Sequence, residues 1–376
     1  MVKGIHLTLM IGPAAPVPAP RSVVDALTGV QVNSGGARSG FQLTFSVGKN
    51  SPLITTMLPA GYFDPMITRV IIVVTVKGLP EVLMDGIVTQ QEVSPSNEPG
   101  QSTLTITGED LSVLMDVVEM PFMRYPAMSS PARVRVILAK YRAFGIVPIV
   151  IPPIPMDTPN PADRVPTHQE GTDLAYISQL ASNCGYVFYI EPGPAPGTSI
   201  AYWGPDIRIP VPQPALSINM DAHTNVESLN FSLDGLKKKI LVLNVYDRAT
   251  GKKTIPVPVP NISVLRPPLG ARPTPPSKVE FPPGMSGLSI VEAMSRALGI
   301  SMASSDAISG SGSLDVLRYG RVLKARQLVG IRGAGTAYDG LYYVNSVTHN
   351  IKRGEYKQNF NISRDGLISI TPGVVT

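Results

Sequence analysis

The sequence predicts an α+β chain that is mainly β, with two antiparallel β units on either side of an α/β segment. Three observations predict this fold. Stretches of apolar–polar alternation occur in the first and last thirds, and this is the period of a half-buried strand. Helical periodicity is confined to a few short stretches. The 38 prolines and 34 glycines among 376 residues divide the chain into short elements, which disfavours helical bundles and coiled coils.

Strand patterns fill the first third. Residues 41–47 alternate cleanly, whereas 69–77 is a β-branched run typical of a strand covered on both faces. Residues 81–93 and 101–107 are predicted strands, and the turn-rich stretch between them predicts a hairpin loop. Thr107 and the acidic residues after it resemble a helix N-cap, so we expect a short helix ending at Asp116.

The middle third changes to an α/β pattern. Ser130 and Pro131 predict the start of an amphipathic helix over 131–144, stopped by Gly145. The prolines in 146–166 predict an extended connector that forms neither helix nor ladder. A second amphipathic helix is predicted over 173–184, followed by a strand over 186–190.

The last third returns to strands. Strands are predicted over 226–233, 240–246, 321–331, 341–351 and 355–363. Ser289 and Glu292 form a capping box for an amphipathic helix. The small, polar residues 301–313 predict a mobile loop.

Composition and charge mark three regions, which we place at 1–116, 117–215 and 216–376, with an insertion over about 256–313. A length of 376 residues corresponds to two to four domains. The first region carries 6 basic and 9 acidic side chains (net −3), the second 7 and 7, and the third 19 and 11 (net +8). The densest basic cluster, Lys237 to Lys239, has no interleaved aromatics and follows an Asp234–Gly235 turn. A solvated hairpin or a protein-contact patch explains it better than a nucleic-acid site.

Sequence motifs for catalysis or metal binding are absent. The four histidines are scattered, and no phosphate-binding or nucleophile-elbow motif occurs. Cys184, the only cysteine, falls on the apolar face of its predicted helix, where a cysteine acts as a small hydrophobe. Glu109 and Asp110 fit a helix start, and Trp203 fits packing better than sugar stacking. We expect no catalytic, cofactor or metal site, and no cofactor.

No apolar run reaches the roughly 18 residues that a membrane-spanning helix needs, and the N-terminal stretch is a poor secretion signal. We therefore expect a soluble protein made in the cytoplasm, without membrane insertion.

Short uncharged polar groups line one side of several predicted strands. Such groups hydrogen-bond without presenting a charge, so they suit a surface that lines a passage. The β-propensity of threonine on an ordinary exposed face is the alternative explanation. The positions are Thr44, Thr103, Thr105, Asn359 and Asn361.

Three passages together resemble the baseplate hub proteins of contractile phage tails, a family related to late-control protein D and to the N-terminal part of type VI secretion spikes. DGIVTQQEVSPSNEPGQSTLTITGEDLSVLMD at 85–116 is similar to part of the first hub barrel. QEGTDLAYISQLASNCGYVFYIEPG at 169–193 resembles the family's helix-then-strand element. YDGLYYVNSVTHNIKRGEYKQNFNISRDGL at 338–367 is similar to the closing hairpin of the second barrel.

The resemblance implies two tube-like antiparallel β-barrel domains, at 1–116 and 216–376, in a homotrimeric ring. Such a ring adapts the hexameric tail tube to the trimeric central spike and forms part of the delivery channel. The implied partners are a tail tube or tube-initiator protein, a separate trimeric spike protein, and baseplate wedge or sheath-linked proteins. DNA is implied only as passing cargo. The particle is a virion tail baseplate, or a tailocin or injection-system particle, assembled in the host bacterial cytoplasm.

Two other functions stay open at this point, a tail-tip peptidoglycan-degrading enzyme and a carbohydrate-binding host-recognition module. The sequence leaves the cargo and the host undecided. We expect the insertion to contact a neighbouring baseplate component. The candidate interface or lumen positions, besides the polar positions above, are Lys237, Lys238, Lys239, Arg332, Lys352 and Arg353.

Overall fold

The computed structural model of the chain describes residues 4–36, 38–98, 100–153, 169–209, 211–246, 254–259, 265–282 and 290–371. The chain is mainly β, as the sequence predicts. The strands of the first third are β1 (Ile5–Gly12), β2 (Val17–Pro18), β3 (Leu27–Gly35), β4 (Gly40–Ser46), β5 (Arg69–Val76), β6 (Leu79–Ser94) and β7 (Thr103–Asp110). The middle strands are β8 (Ile146–Val150), β9 (Val187–Pro192), β10 (Ser199–Gly204) and β11 (Gln213–Ser217).

The remaining strands are β12 (Val226–Leu233), β13 (Lys239–Tyr246), β14 (Thr254–Val259), β15 (Gly270–Pro273), β16 (Lys278–Glu280), β17 (Ile308–Asp315), β18 (Leu328–Arg332), β19 (Gly340–Lys352), β20 (Glu355–Arg364) and β21 (Gly366–Ser369). The α-helices are α1 (Arg21–Ala26), α2 (Ser130–Ala139), α3 (Asp173–Asn183), α4 (Ile290–Ala303) and α5 (Val316–Tyr319). A π-helical turn covers Leu53–Met57, and 3₁₀ turns cover Leu111–Asp116, Arg142–Phe144 and Asp221–His223.

One sheet of 13 strands contains most of the first and last thirds of the chain. Its order is β12-β17-β20-β19-β3-β4-β7-β6-β5-β1-β2, with β18 beside β19 and β11 beside β18. Every pair in it is antiparallel except β11 with β18. The two predicted β units therefore form one continuous sheet, which is joined where β19 pairs with β3.

The apolar face of this sheet forms the main core. The predicted alternation of 41–47 is confirmed, because Phe41, Leu43 and Phe45 are buried while Gln42 is exposed. β5 is covered on both faces, as its β-branched run predicts. The large buried side chains of β20, Tyr356 and Phe360 among them, extend the same core.

The α/β segment packs α2 and α3 around a sheet of order β8-β10-β9. Both predicted helices are confirmed, although α2 ends at Ala139 and a 3₁₀ turn then leads to Gly145, which adopts a left-handed conformation. Trp203 is fully buried, so its packing role is confirmed. Cys184 packs against the same cluster.

The prediction that the prolines after residue 145 prevent strand formation is wrong for 146–150. β8 contains Pro148 and lies at a sheet edge, where it pairs with β10 alone. An edge strand needs backbone donors on only one side, so it tolerates proline. Residues 154–168 of the predicted connector lie outside the described residues.

The predicted helix start at Thr107 is also wrong. Thr107 stays in the β7 ladder, and β7 continues to Asp110. Asp110 caps a 3₁₀ turn by accepting a hydrogen bond from the Ser112 backbone N at 2.9 Å. Its second carboxylate oxygen accepts from the Ser39 backbone N, also at 2.9 Å. Two backbone donors thus fix the turn at this aspartate.

The predicted mobile loop at 301–313 is instead the end of α4 and most of β17, an interior strand between β12 and β20. Its small residues make room for its neighbours. A Cβ at Gly310 would lie 2.9 Å from the Ile362 side chain, and a Cβ at Gly312 would lie 2.6 Å from the Phe360 ring. The Gly-Ser pattern therefore reflects tight packing between strands.

Within the insertion, β14 and β16 join β13 in a separate small sheet, and β15 pairs with β21 near the end of the described chain. β12 pairs with β17, whereas β13 pairs with β14 and β16, so the predicted hairpin through Asp234 and Gly235 is wrong. That turn instead carries the chain out of the large sheet. The predicted strand over 321–331 is shorter, since only β18 forms a ladder there. Ser289 lies outside the described residues, and the domain boundaries at 116 and 215 stay predictions.

We predict that Gly312→Ala destabilises the chain by about 1–3 kcal/mol through overpacking. The added methyl would lie 2.4 Å from the Ser228 carbonyl oxygen, which is backbone and cannot swing away. Gly235→Ala is the matched control, because nothing lies within 4 Å of its Cβ position. Chemical denaturation followed by circular dichroism measures both. Equal unfolding midpoints for the two variants would contradict this account of β17.

Candidate assembly face and internal repeat

The predicted polar positions all lie on one face of the large sheet. Residues directly opposite each other in neighbouring strands share a face. Thr44 is opposite Thr105, and Thr103 follows two residues before Thr105 on the same side. On its other side Thr44 is opposite Gly29, which in turn is opposite Lys352.

From Lys352 the same face continues into the last third of the chain. Thr348, four residues before Lys352 along β19, is opposite Asn359, and Asn361 follows two residues later. No register shift interrupts these pairs. The structure therefore brings together all the predicted polar positions, and Lys352 with them, on a surface that crosses both β units.

This surface, which we call the polar face, consists of rows of short polar side chains. One row runs Ser228, Ser313, Asn359, Thr348 and Asn33, with each residue opposite the next. Hydrogen bonds link opposite residues within the rows. The Ser228 and Ser313 hydroxyls lie 2.8 Å apart, and Asn361 Nδ2 donates to Ser346 Oγ at 3.1 Å. The polar face thus offers many neutral donors and acceptors, and it also includes the charged side chains of Glu92, Glu109, Asp315, Lys352, Glu355 and Lys357.

The other candidate interface or lumen residues are not part of the polar face. Lys237 and Lys238 lie in the turn after β12, and Lys239 pairs with Glu280 at 2.7 Å. Arg332 is on β18, apart from the polar rows. Arg353 lies in the β19–β20 turn, where it donates to the Asp25 backbone oxygen. Their roles stay predictions.

The sheet also contains an internal repeat that sequence reasoning described only as two similar units. In sheet order, β12-β17-β20-β19 has the same arrangement as β3-β4-β7-β6. In each copy the two outer strands pair antiparallel with a middle strand that comes later in the chain: β12 with β17 and β19 with β20, as β3 with β4 and β6 with β7. We call these the C-terminal repeat and the N-terminal repeat.

The registers and the bulges of the two repeats coincide. A register shift follows Leu27 in β3 and Val226 in β12, and another follows Val88 in β6 and Val344 in β19. Aligning these bulges makes Thr44 and Thr105 equivalent to Ser313 and Asn359, and both pairs are directly opposite in their ladders. A single alignment of the two repeats therefore reproduces the registers and the bulges of all their ladders. Two unrelated sheets would not agree in this way. No local sequence pattern marks it.

The repeats follow each other head to tail. Ser346–Lys352 of β19, the last strand of the C-terminal repeat, pairs with Gly29–Gly35 of β3, the first strand of the N-terminal repeat. Val32 and His349 are opposite each other and are both buried in this pairing, which we call the internal junction.

His349 stabilises the internal junction in its neutral form. Its Nδ1 lies 2.8 Å from the Tyr356 hydroxyl and 3.2 Å from Gln358 Nε2. Burial lowers the pKa of His349 to about 3. Gln358 also accepts a hydrogen bond from the Leu323 backbone N at 3.0 Å. The histidine is thus held in a structural network.

A buried ionic cluster, which the sequence does not indicate, joins the insertion to the rest of the chain. Asp306 accepts from Arg208 at 2.8 Å, lies 2.9 Å from Arg266, and accepts from Ser363 at 2.7 Å. Burial alone would raise the pKa of Asp306, but the arginines outweigh it and hold the pKa below its usual value. Asp206 lies against both arginines. The cluster ties the start and the end of the insertion to β20.

Acidic side chains at and before the 3₁₀ turn at Leu111–Asp116 form ion pairs with one arginine. Glu109 is bound by Arg38 at 3.2 Å, and Arg38 also binds Asp116 at 2.6 Å. No group of three His, Cys, Asp or Glu side chains that could hold a metal ion occurs among the described residues. No helix within the described ranges is long and apolar enough to cross a membrane.

Comparisons with known proteins support the fold. No family model and no curated protein match the sequence. The structure is similar to a tail protein from Neisseria meningitidis MC58, with a TM-score of 0.64, 12% identity, and coverage of 96% of this chain and 98% of that chain. It is also similar to the 43 kDa tail protein of prophage MuSo2 from Shewanella oneidensis, with a TM-score of 0.63, 12% identity, and coverage of 96% and 99%.

A third similar structure is the E. coli c3393 protein, a type VI secretion component described as similar to the T4 phage tail proteins gp27 and gp5. Its TM-score is 0.51 at 12% identity, over 92% of this chain and 74% of that chain. At these identities the likeness concerns the fold. The chain has the fold of phage tail proteins, and the resemblance found in the sequence is confirmed at that level.

We predict that acid destabilises the folded chain through His349. Its folded pKa lies far below the value of about 6.5 for an ordinary histidine, so only the unfolded chain takes up this proton as pH falls below that value. The contribution to stability is complete above about pH 6.5 and is lost progressively toward pH 3. Urea unfolding at a series of pH values should show a shallower decline for His349→Gln than for the unaltered chain.

His223→Gln is the control for this experiment, because His223 is exposed. It should keep the slope of the unaltered chain. An unchanged slope for His349→Gln, in a variant with a native circular dichroism spectrum at pH 7.5, would contradict the neutral buried histidine.

Proposed function

We propose that this protein is the structural baseplate hub of a contractile phage tail or of a phage-tail-like particle. It would form a homotrimeric ring that adapts the hexameric tail tube to the trimeric central spike and contributes to the delivery channel. The observation that carries the proposal is the internal repeat. A chain with two copies of one four-strand unit, joined head to tail in one sheet, gives a trimer six near-equivalent units.

The parts of the chain outside the repeats supply the threefold side of this adaptor. The α/β segment and the insertion each occur once per chain, packed in clusters of their own. A trimer would therefore present six repeats toward the tube, but three copies of these elements toward a trimeric spike or other baseplate components. This division explains why one polypeptide carries both repeated and unrepeated structure.

The polar face is the surface that we assign to the channel. Its rows run through both repeats and consist mainly of short polar side chains, with Gly29 and Gly40 and some charged residues among them. Neutral donors and acceptors hold water and fix no charge on a passing molecule. Thr44, Thr103, Thr105, Asn359 and Asn361 would line the lumen. The charged side chains of the same face, Glu92, Glu109, Asp315, Lys352, Glu355 and Lys357, would lie among them.

The proposed partners are a tail tube or tube-initiator protein, a separate trimeric spike protein, and wedge or sheath-linked baseplate proteins. The location is the tail baseplate, with assembly in the host cytoplasm. We also propose that the chain has no catalytic activity; Glu109 is bound by Arg38, and Cys184 packs in an apolar cluster. The similarity to two tail proteins and to a type VI component supports a structural role in a tail or tail-like particle.

We predict that the purified chain has the mass of a trimer by multi-angle light scattering and forms rings with an axial channel in negative-stain electron micrographs. Co-purification with the cognate tube and spike proteins tests the adaptor role. A stable monomer that binds neither partner would overturn the proposal. Cleared zones in a peptidoglycan zymogram, absent when the protein is heat-denatured, would show an enzyme instead.

A further inference from the structure

Two of the sheet edges that have no partner strand among the described residues lie at opposite ends of the two repeats. β5 pairs with β6 only as far as Ile87, so Gln90–Ser94 of β6 is bonded on one side alone, to β7. β12 is bonded on one side alone, to β17. Pro95 follows Ser94 and ends the β6 edge.

These edges are the equivalents of the two strands that meet in the internal junction. The alignment of the repeats makes β6 equivalent to β19, and β12 equivalent to β3. In the internal junction, β19 uses its C-terminal half to pair with β3, while its N-terminal half pairs with β18. β6 has the same division, with its N-terminal half on β5 and its C-terminal half unpaired.

Burial differs sharply between the equivalent positions. His349 is 3% exposed and Val32 is 0% exposed in the internal junction, whereas Val93, the equivalent of His349, is 43% exposed. Phe231, the equivalent of Val32, is half-buried, and Leu233 beside it is 42% exposed. Apolar side chains thus border both free edges on the core side of the sheet.

We propose that Gln90–Ser94 of one chain pairs antiparallel with β12 of a second copy of the chain, in the register of the internal junction. This inference rests on the proposed trimer and specifies its interface. Thr348 is opposite Asn33 in the internal junction, so Glu92 would be opposite Ser232 of the second copy. By the same equivalence, Val93 would be opposite Phe231, and Ser94 opposite Asn230.

The side chains agree with this register. Glu92 is opposite Thr105, and Ser232 is opposite Ser309, so both lie on the polar face of their own repeats. Val93 and Phe231 lie on the apolar face, where the pairing would bury them together. A register shifted by one residue would place Glu92 against Phe231 and bring the polar and apolar faces into conflict.

A second copy of the chain fits these edges better than an unrelated strand. β6 is equivalent to β19 and β12 is equivalent to β3, and β19 and β3 already pair with each other within one chain. The pairing is heterologous, so it repeats in one direction, and in the proposed trimer three such contacts would close a ring. It also covers backbone groups and apolar side chains that would otherwise make an aggregation-prone edge.

Disulfide trapping tests the register on the full chain. In a Cys184→Ala background, Glu92→Cys with Ser232→Cys places two thiols opposite each other across the proposed interface, with Cβ atoms about 4.5–5.5 Å apart. Mild oxidation should give covalent dimers and trimers on a non-reducing gel. The control, Glu92→Cys with Phe231→Cys, points its thiols to opposite faces and should cross-link roughly tenfold less.

The outcomes separate this inference from the proposed function. A trimer by light scattering with no cross-link, or with equal cross-linking in the control, overturns the register and leaves the hub proposal standing. A monomer in the Cys184→Ala background, with the unaltered chain also monomeric, overturns both.

A second variant keeps the inference testable if the cysteine pairs fold poorly. Val93→Lys should weaken trimer association by about tenfold or more, because it buries a charge only in the assembled state. Val279→Lys is the control, since Val279 is 55% exposed and lies in the insertion. Equal association constants for the two variants, from sedimentation at several concentrations, would overturn the inference.

Discussion

The pairing of β19 with β3 is the interaction on which the rest of the architecture depends. It holds a strand from the end of the chain against a strand from its beginning, and it sets the relative position of the two repeats. Val32 and His349 are buried in it. Without this pairing the two halves would be separate β units, and neither the continuous polar face nor the alignment of the two repeats would exist.

The elements outside the repeats are attached by different physical means. The α/β segment has an apolar core of its own around Trp203 and the helices α2 and α3. In its described residues the insertion packs with β13 in a small apolar cluster. The pairing of β15 with β21 and the buried charges of Arg208, Arg266 and Asp306 attach it to the rest of the chain. The attraction between buried charges largely offsets their desolvation cost, so we expect this cluster to fix the position of the insertion more than to add net stability.

The sequence predicts the strands better than their partners. The alternation in 41–47 and in 355–363 reflects local burial, and both strands occur as predicted. The sequence does not indicate β17, because Gly310 and Gly312 have no apolar side chains and instead make room for residues of neighbouring strands. The sequence indicates the polar positions within single strands. It does not show that they share a face, because that depends on the registers between strands that are far apart in the chain. The free edges likewise have no local sequence signal, because their proposed role is inferred from their equivalence to the two strands of the internal junction.

Electron cryomicroscopy of the assembled ring, at a resolution that separates strands, tests the central claim most directly. The account predicts a continuous sheet in which every junction between repeats is alike, within a chain and between chains, so that β6 of each chain lies beside β12 of the next with Glu92 opposite Ser232. A ring in which another element separates these strands, or in which β3 has left β19, would contradict it.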